Sequence, residues 1–275
     1  MLVLGIDTSC DDTSLALLQD GKTLLSNVVS SQVDLHRVFG GVVPEIASRK
    51  HVELIDGLYR ETLKEGGIPE SSVDGIGVTA GPGLIGSVLV GLCFAKGLAL
   101  SLGKPLIAVN HIEAHAMSIF LEREVEFPFI ALVVSGGHTI MLLIQGFGRY
   151  RVLGSTRDDA AGEAFDKIAR TIGLGYPGGP LLDRAARGGR PDAVALPRTT
   201  LADSLDFSFS GVKTAALNQL NRLQQQAGQA GQTWQDLISL SDFAASFQQA
   251  IVDVLVEHTF KALEQTGLKR LAIAG

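Results

Sequence analysis

A duplicated α/β fold is what this sequence predicts, and three observations predict it. The composition is 46% hydrophobic, with 32 glycines and only 6% aromatic residues, which suits helices packed closely on sheets. A strand–turn–strand–turn–strand pattern occurs twice, first from residue 2 and again from residue 129. Helical periodicity follows each occurrence, as in a repeated α/β unit. The 275 residues are enough for two domains. The repeat divides them into an N-terminal α/β half over 1–110 and a C-terminal half over 111–275.

In the first half, residues 2–6 are a continuous apolar run, 8–12 a turn, and 15–18 a second strand. Asp20-Gly21 makes a hairpin turn, and 24–29 is a third strand. A helix follows over 44–64, with Pro44 at its favourable first position. Next come a strand over 75–79, a helix over 84–100 and a strand over 106–109. Asn110, a good N-cap, opens a further helix. The second half begins with strands over 129–134, 139–144 and 150–153, separated by the turns 135–138 and 146–148. Helices are expected over 162–172, briefly from Leu181, over 212–223 and over 241–266, with 176–180 a loop. The Gln/Gly/Ala-rich stretch 224–232 reads as a loop, and 271–275 as a buried strand. No helix covers that strand, so the second half is expected to be truncated at its C-terminus.

The formal net charge of −6 argues against an indiscriminate nucleic-acid binder. The segment 149–198 carries nine Lys/Arg against six Asp/Glu, a local +3 that fits either a polyanion-docking surface or a solvated face. Two cysteines, Cys10 and Cys93, give no disulfide framework and fit a reducing cytoplasm. The start lacks a basic signal-peptide region. The apolar stretch 84–100 carries Lys96 and several glycines and reads as a buried helix, not a membrane span.

The most informative stretch is His111-Ile112-Glu113-Ala114-His115. Histidines at i and i+4 share one helix face, so both imidazoles can reach one metal ion. Spacing alone fits an ordinary polar face equally well. A zincin protease needs Glu directly after the first His, and here Ile112 stands there. Asp7, Asp11 and Asp12 crowd the first turn, and Asp11 is a candidate to position a phosphate-bound metal or an attacking amine, or simply turn chemistry. Ser135-Gly136-Gly137 follows a strand and lets backbone N–H groups approach a phosphate or carbonyl oxygen, or makes a tight hairpin. The loop 176–180 precedes a helix N-terminus, and Asp166 could accept hydroxyls there. Gly86 and Gly91 read as packing residues. A ligand cleft facing the two hairpin turns is expected.

Taken in order, several motifs resemble one family over the whole chain. They are Gly5-Ile6-Asp7-Thr8-Ser9-Cys10-Asp11-Asp12-Thr13, Gly40-Gly41-Val42-Val43-Pro44-Glu45, Thr79-Ala80-Gly81-Pro82-Gly83 and the His111–His115 pair. Val134-Ser135-Gly136-Gly137-His138-Thr139, Ala161-Gly162-Glu163-Ala164-Phe165-Asp166-Lys167, Tyr176-Pro177-Gly178-Gly179-Pro180 and Asp206-Phe207-Ser208-Phe209-Ser210-Gly211 complete the set. The family is the tRNA adenosine threonylcarbamoyltransferases, TsaD. The resemblance implies the duplicated actin/Hsp70/sugar-kinase (RNase H-like) fold. It implies transfer of threonylcarbamoyl from threonylcarbamoyl-AMP to N6 of adenosine 37 in tRNAs reading codons that begin with A. It also implies one divalent metal, iron or zinc, on His111 and His115, and an ATP or adenylate ligand. Val133, Val134, Ser135, Gly136 and Gly137 would line the substrate, and Asp166, Gly179 and Asp183 would hold its nucleotide part. The implied partners are tRNA, a homologous non-catalytic subunit (TsaB-like) and a small ATPase (TsaE-like).

The family motif places Glu where Asp7 and Asp12 stand here, and continues past Gly275 with a Gly-Val-x-x-Asn motif and a metal-binding Asp. The alternatives are a catalytically weak truncated paralogue acting as a scaffold, another carbamoyltransferase of this fold, or a sugar or carboxylate kinase, which would not need the His pair.

Overall fold

A computed structural model describes residues 1–198 and 204–275. They form two compact units, Met1–Val125 and Glu126–Gly275.

The first unit opens with β1 (Leu2–Asp7), β2 (Asp12–Gln19) and β3 (Thr23–Ser31). Strict alternation buries Leu2, Leu4 and Ile6 on β1 and Thr13, Leu15 and Leu17 on β2, so register is set by one buried face. A short helix α1 (Val33–Arg37) leads to α2 (Pro44–Glu65). On α2, Ala47, His51, Ile55, Leu58, Tyr59 and Thr62 recur at helical spacing and face inward. Then follow β4 (Gly75–Gly81), α3 (Ile85–Leu102), β5 (Leu106–Asn110) and α4 (His111–Met117). The sheet order is β3-β2-β1-β4-β5, antiparallel across the first three strands and parallel from β1 through β4 to β5.

Among the described residues, α3 has the length and composition to cross a membrane. Here its small-residue stripe of Ser87, Gly91, Ala95 and Ala99 is buried within the unit. A Cβ on Gly91 would lie 2.4 Å from Thr8 Oγ1, so the predicted packing role is literal.

In the second unit, β6 (Phe129–Val134) lies between antiparallel β7 (Thr139–Gly146) and parallel β9 (Leu271–Ala274), with β8 (Arg149–Ser155) beyond β7. The order β8-β7-β6-β9 repeats β3-β2-β1-β4, so the predicted duplication is present across four strands, while β5 has no counterpart among the described residues. Helices α5 (Ala161–Thr171), α6 (Gly178–Ala186), α7 (Ser210–Gln229) and α8 (Leu240–Thr266) share one core, centred on Phe207, Phe209, Phe243 and Phe247. Between α7 and α8, Thr233 caps a short turn that packs Trp234 edge-on against Phe243, ring centroids 5.7 Å apart.

Several boundaries differ from expectation. The units divide at 125/126, not at 110/111. Asn110 ends β5 and caps α4 directly, its Oδ1 accepting from Ile112 N (2.9 Å) and Glu113 N (3.1 Å), so the histidine helix stays with the first sheet. The expected loop at 224–232 is largely helix: α7 runs to Gln229 because Leu220, Leu223 and Ala227 continue its buried stripe. Helix α6 starts at Gly178, before Leu181, because Asp166 Oδ1 accepts from Gly178 N at 2.7 Å. The sequence pattern gives no sign of helix α1.

Candidate metal and nucleotide sites

In the first unit, parallel strands bring Asp7, Gly81 and Asn110 to the same carboxyl edge of the sheet, and His111 follows β5 without a break. That edge is where open α/β sheets bind ligands. There His111 Nδ1 lies 3.1 Å from Asp7 Oδ2 and 3.2 Å from Ser9 Oγ. The His111 and His115 rings stand 4.6 Å apart by centroid, inclined at 79°. Burial tends to raise the Asp7 carboxyl. The hydrogen bond and charge of His111, with hydrogen bonds from Ser9, outweigh this and hold it below the usual carboxylate range.

An ionised Asp7 accepts from His111 Nδ1–H, which makes Nε2 the nitrogen that would ligate a metal. The donor set therefore fits a first-row divalent cation: two imidazoles one helical turn apart, one braced by a carboxylate. Among the described residues no third His, Cys, Asp or Glu joins them. The Asp7–His111 pair is the contact the sequence reading missed. Asp7 ends β1 and His111 follows β5, but their pairing joins positions 104 apart and leaves no periodic signal in the sequence.

Asp11 lies on the same turn, half-buried. The turn is tied down residue by residue. Thr8 Oγ1 donates to Ser87 O (2.7 Å) and accepts from Gly91 N (3.1 Å). Ser9 O accepts from Leu84 N at 2.8 Å, and Asp11 O from Gln32 N at 3.1 Å. Cys10, despite reaching solvent, is no thiolate nucleophile: burial of its sulfur, then Asp11, pushes the thiol up to about 12.

In the second unit the turn after β6 is closed by its own residues and by one tie from α5, Gly162 N donating to Ser135 O at 3.2 Å. Ser135 N donates to His138 O (2.8 Å) and His138 N to Ser135 Oγ (3.1 Å). Gly136 and Gly137 are exposed, and a Cβ on either would meet nothing within 4 Å. Val134 is half-buried, whereas Val133 has no accessible surface, so any ligand contact from Val133 is through its backbone. Asp166 lies within α5, and its carboxylate caps α6, where Gly178 and Gly179 present the first amides. A Cβ on Gly178 would lie 2.5 Å from Asp166 Cα, so glycine is needed for that approach. Asp183 is exposed on α6, within 3.3 Å of Gln248 Nε2. Asp158 serves the N-terminus of α7, accepting from Phe209 N (2.8 Å), Ser210 N (3.2 Å) and the hydroxyls of Ser208 and Ser210 (2.6 Å each).

Two β-sheets of one repeated topology define the class, the duplicated actin/Hsp70/sugar-kinase fold. An activator of 2-hydroxyisocaproyl-CoA dehydratase from Clostridium difficile, solved with bound ADPNP, shares that fold: TM-score 0.53, 12% identity, covering 99% of this chain and 79% of that one. The family model for TsaD, tRNA N6-adenosine threonylcarbamoyltransferase, matches residues 23–275. The protein of that name from Geotalea uraniireducens is 52% identical over 100% of this chain and 78% of its own length. The one from Pelobacter propionicus is 54% identical over 100% and 79%. The chain belongs to the TsaD family.

Proposed function

We propose that this chain transfers a threonylcarbamoyl group from threonylcarbamoyl-AMP to N6 of adenosine 37 in tRNAs reading codons that begin with A. The observation that supports this best is the Asp7–His111–His115 arrangement at the carboxyl edge of the first sheet, in a chain matched to this family over nearly its whole length. Relatives carry the enzyme's name throughout that match, which disfavours the scaffold and kinase alternatives.

In this reading His111 and His115 hold iron or zinc. A metal held there would supply Lewis-acid stabilisation of the charge that develops on the carbamoyl oxygen. Asp7 fixes the tautomer and direction of His111. Asp11 orients the attacking N6 amine and accepts its proton. Gly136 and Gly137 offer backbone N–H groups to the substrate; Ser135, whose N–H is engaged by His138 O, lines it with Val133 and Val134, and AMP leaves from the adenylate. Asp166 and Asp183 accept ribose hydroxyls, and Gly179 gives close backbone approach at the start of α6. The enzyme works in the cytoplasm, with tRNA, a TsaB-like subunit and a TsaE-like ATPase as partners.

The test is direct. Unmodified tRNA is incubated with the protein, its partners and threonylcarbamoyl-AMP, and the digested nucleosides are weighed by mass spectrometry. Formation of N6-threonylcarbamoyladenosine that disappears in His111→Ala is expected. No product with the unaltered protein, or full product in His111→Ala, overturns the assignment.

A further inference from the structure

The first unit buries a polar cluster that the proposed chemistry does not use. Thr13, His36 and His51 have no accessible surface, and Gln32 retains 3%. Buried polar side chains are costly unless hydrogen-bonded, and all four are. His51, on α2, makes its Nε2 contact with Cys10 O at 2.9 Å. A carbonyl only accepts, so Nε2 carries the proton and Nδ1 is an acceptor. Thr13 Oγ1 lies 2.7 Å from Nδ1 and donates to it. Gln32 Nε2 reaches the same nitrogen at 3.5 Å and Ala47 O at 3.4 Å, both long contacts. Gln32 Oε1 accepts from His36 Nε2 at 3.2 Å, and His36 Nδ1 accepts from Val43 N at 3.3 Å. Every proton in the series has one consistent place.

The series ends at the turn that carries Asp11. Cys10 O accepts from His51, and the next carbonyl, Asp11 O, accepts from Gln32 N at 3.1 Å. Two successive peptide groups around Asp11 are thus gripped by two members of the cluster. Burial pulls the His51 imidazole below its ordinary value, against the Cys10 carbonyl and the carboxylates of Asp11, Asp7 and Asp12, which keeps the ring neutral at neutral pH.

We infer that His51 is a positioning residue: as a neutral Nε2–H imidazole held by Thr13, it clamps the Cys10 carbonyl and so fixes the direction in which Asp11 is presented. This inference rests on the reading of Asp11 as the group that meets the substrate. Displacing such a group by about 1 Å costs on the order of 10²-fold in rate.

The experiment uses the full chain with its partners. His51→Leu should lower kcat by about 10²-fold with KM little changed, and His51→Gln, whose amide can still donate to Cys10 O, should restore most of it. In the Asp11→Asn background, His51→Leu should add almost nothing, because both act through one group. Additive losses, or unchanged kcat in His51→Leu, overturn the clamp. Should His51→Leu fail to fold, Thr13→Val keeps the volume and removes the donor, with a smaller loss of the same kind expected and an unchanged kcat overturning the clamp. An Asp11→Asn variant with normal turnover refutes the role of Asp11 instead. The clamp is then read without activity: nitrogen-15 spectra should show the Nε2–H tautomer at His51, and the amides of Ser9 and Gln32 should exchange faster in His51→Leu while β4 stays protected. The Nδ1–H tautomer or unchanged exchange overturns it.

Discussion

The turn after β1 and the turn after β6 close hairpins of the same topology, yet the first is held by far more ties from outside. The first is tied from outside, by α3 at Thr8, by Leu84 at Ser9, by α2 at Cys10 and by Gln32 at Asp11. The second is closed mainly by its own Ser135 and His138, with one outside tie from Gly162 N to Ser135 O, and a Cβ on either central glycine would meet open space. One turn fixes side chains; the other leaves backbone exposed. A duplicated scaffold thus provides two kinds of site, one suited to metal and carboxylate chemistry, the other to close approach of a ligand.

The sharpest way to break this contrast is at the histidines. His111→Ala combined with His115→Ala should reduce bound metal to background in elemental analysis, with the circular dichroism melt nearly unchanged because Ile112 and Ala116 hold the inner face of α4. Retained metal would remove the site. Asp7→Asn should weaken metal affinity by roughly 10–100-fold, since only the outer partner of His111 is altered.

Glycine substitutions test the other side of the contrast. Gly91→Ala pushes a methyl against Thr8 and should cost about 1–3 kcal/mol, partly offset by about 1 kcal/mol of helix propensity. Gly137→Val meets no protein atom at its Cβ and should shift stability by less than about 0.5 kcal/mol. It should nevertheless weaken binding of an adenylate analogue in calorimetry. Equal affinity would return that turn to hairpin duty alone.

The smallest effect concerns Asp158. Burial tends to raise its carboxyl, but hydrogen bonds from Ser208, Ser210 and the amides of Phe209 and Ser210 hold it below the usual range. Its folded pKa lies below its unfolded one. The stabilisation is therefore complete above the unfolded value, about 4, and is lost as pH falls through the folded value. Asp158→Ala should cost about 1 kcal/mol at neutral pH, with the gap to the unaltered protein closing in stronger acid. A gap independent of pH would show that the carboxylate charge is not what holds α7.

The repeat, most strand positions and the histidine helix were legible because they depend on local periodicity and on one cap, Asn110. The Asp7–His111 contact was not, since it joins residues 104 apart and leaves no periodic trace. Helix α7 outran its prediction because Gln224, Gln225 and Gln226 read as low complexity while Leu223 and Ala227 kept the buried spacing. Helix α6 begins earlier than its sequence suggests, because glycine and proline at 178–180 look like loop residues. At a helix start, Pro180 loses nothing by lacking an N–H, and Gly178 fits against Asp166 where a side chain would not.

The chain's single tryptophan, Trp234, lies in the second unit, half-buried against Phe243. Intrinsic tryptophan emission therefore monitors that unit alone, while far-ultraviolet dichroism sums over both. A denaturant titration followed by the two signals separates the folding of the halves without a label. Coincident curves would mean that the halves unfold as one, and displaced curves would rank their stabilities directly.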